Sequence, residues 1–312
     1  MHHKYLATWF YSKEEIESVL EANQIIEPKE ETNTEQIEPE SPPPIVYENE
    51  YEEKIFKEKK EGEVYRIIPI EEKKFTGYLA VIYDATRVSV ATTRFLDVRG
   101  EYTTEMASVN NALLAVNGGG FIDPNLNGAG GSPQGITIKN KKVITNYNYS
   151  ISGGLIGFNE ENKLILGRMT LEEAKKKNIR DAVSFGPFLI VNGKKAFIKG
   201  NGGWGFAPRT AIGQRKDGIV LLLVVDGRTL KYPGASMVDL TTILDNYGAI
   251  NAANLDGGTS STIVLPEEEA RKYIKESELK SHCRKNYCYI NDPIDSTGAH
   301  KTRPVASTII VK

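Results

Sequence analysis

The sequence has little cysteine, histidine or tryptophan, and it lacks both an excess of one charge and a long apolar run. Its 312 residues include two cysteines, four histidines and two tryptophans, and the formal net charge at pH 7 is -2. A chain so close to neutral does not suggest a polyanion partner, so we expect no binding to nucleic acid. No apolar run approaches the length of a membrane helix, and residues 1–10 do not form a secretory signal peptide. The chain is therefore cytosolic, or it begins downstream of a native targeting segment.

The two cysteines, Cys283 and Cys288, lie close together near the end of the chain. They would close a small loop as a disulfide in an oxidising compartment, or they would stay two free thiols, and the sequence favours neither. His282 adjoins Cys283, but zinc would need a fourth ligand and a better-spaced set, so we do not expect a zinc site.

Residues 1–62 differ in composition from the rest of the chain. Ser12 and Glu15 form a capping-box pattern, which predicts a short helix over residues 13–23 in an N-terminal helical segment of residues 1–26. Residues 27–62 are rich in glutamate and carry prolines at positions 39 and 42–44. Such a segment cannot bury enough apolar surface to offset its ordering entropy, so we predict a disordered acidic linker. A spacer implies a second attachment, and we expect a membrane anchor or a partner upstream of this chain.

Residues 63–312 contain many short strands and few helices, which predicts a single α+β domain with a mixed, mostly antiparallel sheet and packed helices. The most apolar predicted strand is Ile219–Val225, and Asn192-Gly193 is a strong hairpin signal. Capping boxes at Thr170 and Ser236 predict two helices. Pro266 marks the start of a further predicted helix that runs to residue 277.

The functional prediction is organised around the run from Asn254 to Ser261. A short apolar segment ends here in Asn254 and Asp256, and two glycines and three hydroxyl residues follow. The apolar run indicates a buried strand, and the glycines allow a sharp turn beside it. Asp256 would then be held rigidly at the edge of the core and within reach of a ligand. The alternative is a strand, a turn and a helix N-cap supplied by Ser260 or Asp256.

Other predicted strands also end or begin at polar residues. Asn117 precedes Gly118, Asp226 precedes Gly227, and Arg209 begins another strand. If these strand ends converge, they suit hydrolysis of a sugar joined to a phosphate, because carboxylates can stabilise or attack an oxocarbenium-like centre. The guanidinium fork would hold the departing phosphate. The alternative is that Asp226 and Arg209 form a structural ion pair with each other.

An ordered set of motifs resembles the phosphodiester glycosidase family. The likeness covers roughly residues 78–311, and it rests on Thr104-Glu105-Met106, Ala115-Val116-Asn117-Gly118-Gly119-Gly120-Phe121, Gly186-Pro187, Ala207-Pro208-Arg209-Thr210-Ala211-Ile212-Gly213, Val225-Asp226-Gly227-Arg228, Gly234-Ala235-Ser236 and Asn254-Leu255-Asp256-Gly257-Gly258-Thr259-Ser260-Ser261. The resemblance implies a hydrolase that removes a sugar from a sugar-1-phosphate diester of a cell-surface glycan or polymer, with no required cofactor. This chain has Thr259 where the family usually has a third glycine, and Ile122 where it often has phenylalanine.

The resemblance also implies roles for single residues. Asp256 would be the essential carboxylate, Glu105 a second acid/base, Asp226 a further catalytic carboxylate, and Arg209 the residue that holds phosphate. The substrate-binding positions would be Asn117, Gly118, Gly119, Arg209, Thr210, Gly257, Gly258, Thr259 and Ser260. Because family members are commonly exported, the resemblance implies an extracellular or cell-surface enzyme of the bacterial cell envelope, with a membrane anchor in the full-length protein.

A weak cation site and two other functions stay open. Asp123, Asn125 and Asn127 offer oxygen ligands at alternate positions, like the start of a calcium loop, but the twelfth position is Gln134. The alternative is an Asx-rich turn. The protein would otherwise be a non-catalytic glycan-binding module of the cell envelope, or a metal-dependent phosphodiesterase that cuts a P–O bond.

Overall fold

The computed structural model describes residues 8–39, 44, 46–122, 129–147 and 153–312. These residues form an α+β fold in which helices pack on antiparallel sheets, as the sequence predicted. The α-helices are α1 (Lys13–Ala22), α2 (Glu50–Phe56), α3 (Thr103–Val109), α4 (Leu171–Lys176), α5 (Met237–Asn246), α6 (Glu267–Ala270) and α7 (Leu279–His282).

The strands are short and follow one another with few helices between them. They are β1 (Ile25–Ile26), β2 (Tyr65–Glu71), β3 (Thr76–Ile82), β4 (Val88–Thr92), β5 (Leu114–Asn117), β6 (Phe121–Ile122), β7 (Ser132–Pro133), β8 (Ile136–Lys139), β9 (Lys142–Asn146), β10 (Gly154–Asn159), β11 (Leu164–Gly167), β12 (Ile179–Phe185), β13 (Phe188–Val191), β14 (Lys194–Lys195), β15 (Phe197–Ile198), β16 (Arg209–Arg215), β17 (Val220–Val225), β18 (Ala249–Asn254), β19 (Ile263–Pro266), β20 (Cys283–Arg284), β21 (Tyr287–Tyr289) and β22 (Ser307–Val311).

Three larger sheets make up the body of the molecule. The seven-stranded sheet has the order β14-β13-β18-β16-β17-β3-β2, the six-stranded sheet β20-β21-β19-β5-β22-β4, and the five-stranded sheet β11-β10-β12-β8-β9. The strand pairings within them are antiparallel. Short two-stranded pairings join β1 to β15 and β6 to β7.

The core has two main parts, one on each face of the seven-stranded sheet. On one face, Leu222 of β17 shares a buried cluster with Val116 of the six-stranded sheet and Ile156 of the five-stranded sheet. On the other face, Leu223 packs in a cluster with Leu240 of α5. The alternation follows from the strand period of two, which sends successive side chains to opposite faces. β17 is therefore buried on both faces, which explains its unbroken apolar run.

Several local predictions are confirmed by the structure. Val191 pairs with Lys194 across Asn192 and Gly193, whose φ angles of 53° and 75° suit a tight hairpin turn. The hydroxyl of Ser236 caps α5 by accepting from the Asp239 N–H. The helix predicted from Pro266 to residue 277 is wrong: α6 covers only Glu267–Ala270, and a separate 3-10 turn follows at Glu276–Glu278.

Antiparallel pairing gathers the predicted polar strand ends at one end of the seven-stranded sheet. Arg209, the first residue of β16, pairs with Val225, the last residue of β17. Ala211 of β16 pairs with Asn254, the last residue of β18. Asp226 and the loop that carries Asp256 therefore leave the sheet at the end where Arg209 enters it.

The acidic span of residues 27–62 differs from the sequence expectation in its contacts, while its domain boundaries stay a prediction. The Thr32 hydroxyl donates to the Leu166 carbonyl and accepts from the Leu166 N–H, so the span touches the edge of the five-stranded sheet. Ile37 is buried, as are Ile55 and Phe56 of α2. These few apolar side chains fill gaps on the domain, although the surrounding composition is strongly acidic.

The two cysteines form a disulfide in the structure. Cys283 and Cys288 pair across the β20–β21 hairpin, with their sulfur atoms 2.01 Å apart. Since Cys288 is fully buried, the disulfide fastens the edge of the six-stranded sheet to its interior.

Candidate functional site

Asp256 follows β18 and is tied to the six-stranded sheet by backbone contacts. Its N–H donates to the Gly118 carbonyl at 3.1 Å, and its own carbonyl accepts from the Asn117 side-chain amide at 2.6 Å. Asn117 is the last residue of β5, so these two hydrogen bonds join the ends of strands from two different sheets. The position of Asp256 is therefore fixed from both sides of the core.

Asn117 is fully buried, and its side chain is occupied by the protein. Its Oδ1 accepts from the Thr210 hydroxyl at 2.7 Å and from the Thr262 N–H at 3.2 Å. Thr210 is also fully buried. The structure thus gives Asn117 and Thr210 a positioning role around Asp256, because their polar atoms contact other protein groups.

The Asp256 carboxyl lies in a setting that favours its neutral form. Burial raises its pKa to about 6, while hydrogen bonds from Ser260 and the Gly257 N–H and the charges of Arg303 and Arg209 pull in the opposite direction. Oδ1 accepts from the Gly257 N–H at 3.0 Å. A carboxyl that changes its charge near neutral pH can act as an acid or a base, and the catalytic role of Asp256 stays a prediction.

Arg209 is buried beside this carboxyl and is held mainly by backbone carbonyls. Its Nη2 donates to the Trp204 carbonyl at 2.7 Å and to the Gly205 carbonyl at 3.1 Å, and its Nε donates to the Ala235 carbonyl at 3.4 Å. Burial and, to a smaller extent, the neighbouring charge of Arg228 lower the pKa of Arg209 to about 10, and the charge of Asp256 acts in the opposite direction. Arg209 therefore fixes the surrounding loops as well as adding positive charge near Asp256.

Arg228 is a second guanidinium at this end of the sheet, and the sequence analysis did not select it. Its Nη1 donates to the Thr259 hydroxyl and to the Ile294 carbonyl, both at 2.8 Å. Its Nη2 lies close to Gly258: a Cβ placed there would be 2.8 Å from that nitrogen. Gly258 has φ +63°, so glycine suits both the backbone and the space that Arg228 occupies. The run Asp226-Gly227-Arg228 was the signal available in the sequence.

Arg303 is a third guanidinium that the sequence analysis did not select. Its charge acts on Asp256, and the centre of its guanidinium lies 4.6 Å from the ring centroid of Phe121. Arg209, Arg228 and Arg303 come from three distant parts of the chain, and we call them together the arginine group. The arginine group surrounds the turn that begins at Asp256 with positive charge.

Asp226 does not pair with Arg209, so the structural ion pair offered as an alternative is wrong. Its carboxylate accepts from the Asn291 side chain at 2.8 Å and from the Asp292 N–H at 3.1 Å. Burial raises its pKa to about 6. Asp226 lines a cavity of about 550 Å³ together with Tyr78, and Asp292 and His300, whose Oδ1 and Nδ1 atoms lie 2.6 Å apart, line the same cavity. Asn291 also donates to the Ser261 carbonyl, which links this cavity to the Asp256 turn.

Glu105 has a structural contact within its own helix. It is the third residue of α3, and its Oε2 accepts from the Tyr102 N–H at 3.1 Å. It also acts electrostatically on the exposed side chain of Arg94. The start of α3 reaches the Asp256 region through a different residue, because Thr103 accepts a hydrogen bond from the Thr262 hydroxyl.

Gly118 and Gly119 leave no room for side chains. A Cβ at Gly118 would lie 2.6 Å from the Ser307 hydroxyl, and one at Gly119 would lie 2.7 Å from the Ser184 carbonyl. The glycines after β5 thus let the backbone pass between neighbouring strands. The remaining predicted positions, Gly257, Thr259 and Ser260, lie in the turn after Asp256, where Gly258–Ser260 is a 3-10 helix.

Some buried polar atoms of the described residues near this turn lack a hydrogen-bond partner. They include Asn254 Oδ1 and Ser261 Oγ, one on each side of Asp256. The other end of the Asn254 amide donates to the Gly186 carbonyl at 2.8 Å. Buried polar atoms are normally satisfied, so these two atoms are exceptions among the described residues.

The calcium candidates Asp123, Asn125 and Asn127 lie outside the described residues. Within the described part of the chain, Glu267, Cys283 and Cys288 are close enough to share a metal ion. The two sulfur atoms are bonded to each other, so they are not free thiolate ligands. This group therefore gives no support to a metal site.

Comparison with known proteins identifies the family. A model of the phosphodiester glycosidase family matches residues 110–312. The chain belongs to this family. The matched span contains Asn117, Arg209, Asp226 and Asp256, so it includes both strand ends that fix Asp256. Membership in the phosphodiester glycosidase family supports a glycosidase-type hydrolase.

Sequence relatives match smaller parts of this chain. A segment of 80 residues is 37% identical to N-acetylglucosamine-1-phosphodiester alpha-N-acetylglucosaminidase of Bos taurus, covering 26% of this chain and 14% of that protein. A segment of 170 residues is 28% identical to the SPbeta prophage-derived uncharacterized protein YomE of Bacillus subtilis (strain 168), covering 52% of this chain and 25% of that protein. The aligned parts thus span a quarter or less of both relatives.

Solved structures share the fold of this chain. The catalytic domain of zebrafish N-acetylglucosamine-1-phosphodiester alpha-N-acetylglucosaminidase, auto-inhibited by its pro-peptide, superposes with a TM-score of 0.62 at 19% identity, covering 79% of this chain and 82% of that chain. A hypothetical protein from Synechocystis gives a TM-score of 0.53 at 15% identity, covering 80% of this chain and 61% of that chain. Among the described residues, no helix is both long and apolar enough to cross a membrane.

Proposed function

We propose that this protein hydrolyses the bond between the anomeric carbon of a sugar and the phosphate of a sugar-1-phosphate diester. Water adds to the anomeric carbon, the bond from that carbon to the phosphate oxygen breaks, and the products are a free sugar and a phosphomonoester. The observation that carries the proposal is a half-buried carboxyl, Asp256, with a pKa that desolvation raises to about 6, beside the arginine group. Family membership supports the reaction class.

Asp256 is the group proposed to act at the anomeric carbon. A fixed carboxylate there stabilises the positive charge that develops on the sugar ring, or it attacks the ring directly. The contacts of its backbone with Asn117 and Gly118 hold it in place before substrate arrives. Preorganisation of this kind lowers the cost of reaching the transition state.

The positive charge of the arginine group is proposed to stabilise the phosphate. Guanidinium groups bind phosphate oxygens through paired N–H donors, and their charge stabilises the dianionic phosphomonoester as it departs. A leaving group stabilised in this way needs little protonation. A second acid is then less important than in a glycosidase whose leaving group is an alcohol.

A second acid/base group is also part of the proposal. Asp226 has a raised pKa and borders a cavity, which supports such a role. Glu105 was the other candidate, and its hydrogen bond to the Tyr102 N–H gives it a structural role.

We further propose that the substrate belongs to a glycan or polymer of the cell envelope and that the protein acts outside the cytoplasm, where the Cys283–Cys288 disulfide is stable.

A panel of sugar-1-phosphate diesters tests the reaction. Wild type, Asp256→Asn and the surface control Asp245→Asn are compared, with and without a chelator. Release of sugar and phosphomonoester by wild type and by the control, but not by Asp256→Asn, is the expected result. Sugar binding without turnover by wild type would contradict the proposal and favour a binding module. Turnover that a chelator abolishes, with P–O cleavage, would favour a metal-dependent phosphodiesterase.

A further inference from the structure

The members of the arginine group differ in how many of their donors the protein already uses. A guanidinium carries five N–H donors, one on Nε and two on each terminal nitrogen. Arg209 directs both donors of Nη2 and the donor of Nε at backbone carbonyls. It is also 5% exposed. Three of its five donors therefore bind the backbone carbonyls of residues 204, 205 and 235 around the site.

Arg228 uses its donors differently. Its hydrogen bonds to the Thr259 hydroxyl and the Ile294 carbonyl both start at Nη1. Among the described residues, Nε and Nη2 of Arg228 make no hydrogen bond. Nε and Nη2 together form the edge of the guanidinium that matches two oxygens of a phosphate. Arg228 therefore has a complete two-donor edge to offer to a ligand.

The free edge of Arg228 lies at the turn that follows Asp256. Its Nη2 is the atom that a side chain at Gly258 would meet, at 2.8 Å. Arg228 also lies near enough to Arg209 to lower that residue's pKa, so two like charges face the same region. A bound anion between them would relieve this repulsion. The Arg228 backbone has φ 67°, an unusual conformation for a residue with a side chain.

We propose that Arg228, oriented by Thr259 and admitted by Gly258, is the residue that binds the non-bridging oxygens of the substrate's phosphate. Arg209 is a positioning residue that fixes the loops beside it. This inference rests on the proposed hydrolysis of sugar-1-phosphate diesters, and it assigns the leaving group's recognition to one side chain. The same edge binds the phosphomonoester product, so the free anion is a competitive inhibitor.

The test separates anion binding from turnover. Inorganic phosphate is titrated calorimetrically into the full chain as wild type, Arg228→Gln, Arg228→Lys and the exposed control Arg284→Gln. We expect the Kd for phosphate to rise about 10- to 100-fold in Arg228→Gln, because a charge-assisted pair is lost. Arg228→Lys should recover only part of the affinity, since an ammonium lacks the planar fork. The control should bind as wild type does.

Variants of Thr259 provide a second test, because a purely structural role of Arg228 would not make phosphate affinity depend on the Thr259 hydroxyl. Thr259→Val keeps the shape but removes the acceptor for Nη1, and it should weaken phosphate binding by a smaller factor. Thr259→Ser should restore it. The melting temperatures of these variants should stay within about 2 °C of wild type, so that weaker binding is not a sign of unfolding. Arg209→Gln, in contrast, should lower the melting temperature.

The outcomes test the phosphate-binding role of Arg228 separately from the proposed hydrolysis of sugar-1-phosphate diesters. Wild-type phosphate binding in a folded Arg228→Gln variant would overturn the assignment of Arg228, even if diesters are turned over. Loss of phosphate binding in that variant supports the assignment. If wild type binds phosphate through Arg228 but cleaves none of the diesters, the proposed reaction fails while the anion site stands.

Discussion

The side-chain amide of Asn117 donates a 2.6 Å hydrogen bond to the backbone carbonyl of Asp256, across 139 residues of sequence. This bond joins the end of β5 to the end of β18, and therefore one sheet to another. The predicted catalytic carboxyl is thus positioned by a neutral, fully buried side chain.

Replacing Asn117 should loosen the site and destabilise the fold. Asn117→Ala leaves the Thr210 hydroxyl and the Thr262 N–H buried without their acceptor, which costs about 1–3 kcal/mol for such groups. The free energy of unfolding in urea measures this loss, and kcat should fall as Asp256 loses its tether. Thr210→Val serves as the matched comparison, since it removes one bond and should cost less. Wild-type kcat in a destabilised Asn117→Ala would contradict the positioning role.

Asp256→Asn should abolish activity and stabilise the protein at neutral pH. Loss of the acting carboxylate should reduce kcat by roughly 10²- to 10⁴-fold. The folded-state pKa of about 6 is above the unfolded value of about 4, so the native state binds more protons between these values. Stability contributed by Asp256 is therefore highest below pH 4 and falls until pH 6. The amide removes this penalty, on the order of 1–3 kcal/mol.

Thermal unfolding of Asp256→Asn at two pH values tests whether the Asp256 carboxylate destabilises the fold at neutral pH. Its melting temperature should exceed that of wild type at pH 7.5 and match it near pH 4. A melting temperature below that of wild type at pH 7.5 would mean that the carboxylate form is favoured in the fold. The activity of wild type should in turn depend on a group that titrates near pH 6.

Asp226 and Glu105 should be separable by kinetics. Asp226→Asn should lower kcat/KM by about 100-fold or more if Asp226 supplies the second acid/base, and one limb of the pH profile should disappear. Glu105→Gln should stay within a few-fold of wild type, because the glutamine oxygen can still accept from the Tyr102 N–H. The reverse order of effects would transfer the second role to Glu105. Asp245→Asn is again the surface control.

Removing the disulfide should cost stability without changing the chemistry. Cys283 and Cys288 close a short loop, and the loop-closure estimate for such a link is about 2 kcal/mol. Urea unfolding of the Cys283→Ser/Cys288→Ser double variant, compared with wild type with and without reductant, measures this contribution. Equal stability in all three samples would argue against a structural disulfide. KM and kcat should be unchanged, since the hairpin lies outside the Asp256 turn.

The sequence predicts the parts of the fold that depend on interactions between residues close together in the chain. The capping box at Ser236, the Asn-Gly turn at residue 192 and the apolar run of β17 each depend on neighbouring residues. Asn117 and Asp256 could be selected because each follows an apolar strand and precedes glycines. The antiparallel register brings these strand ends together. The sequence alone did not determine whether they converge, so the predicted site depended on that assumption.

The parts that could not be read depend on contacts between distant segments. The sequence offered an ion pair with Arg209 as the alternative role of Asp226, but the hydrogen-bond donors to Asp226 are Asn291 and Asp292, which come from a loop late in the chain. Arg303 acts on Asp256 from just before the last strand, and no spacing rule points to it. The acidic span was judged on its average composition. The average composition of the span does not reveal that a few of its apolar residues, such as Ile37, are buried.

The contact of Thr32 with β11 has a consequence for how the protein behaves in solution. β11 is an outer strand of its sheet, and an open outer strand presents unpaired backbone groups to other molecules. The Thr32 hydroxyl satisfies both the N–H and the carbonyl of Leu166 at that edge. The span that its composition predicts to be a spacer therefore also covers part of this strand edge. We expect chains shortened past Thr32 to aggregate more than the full chain in light-scattering measurements, because strands of neighbouring molecules could pair with the exposed edge.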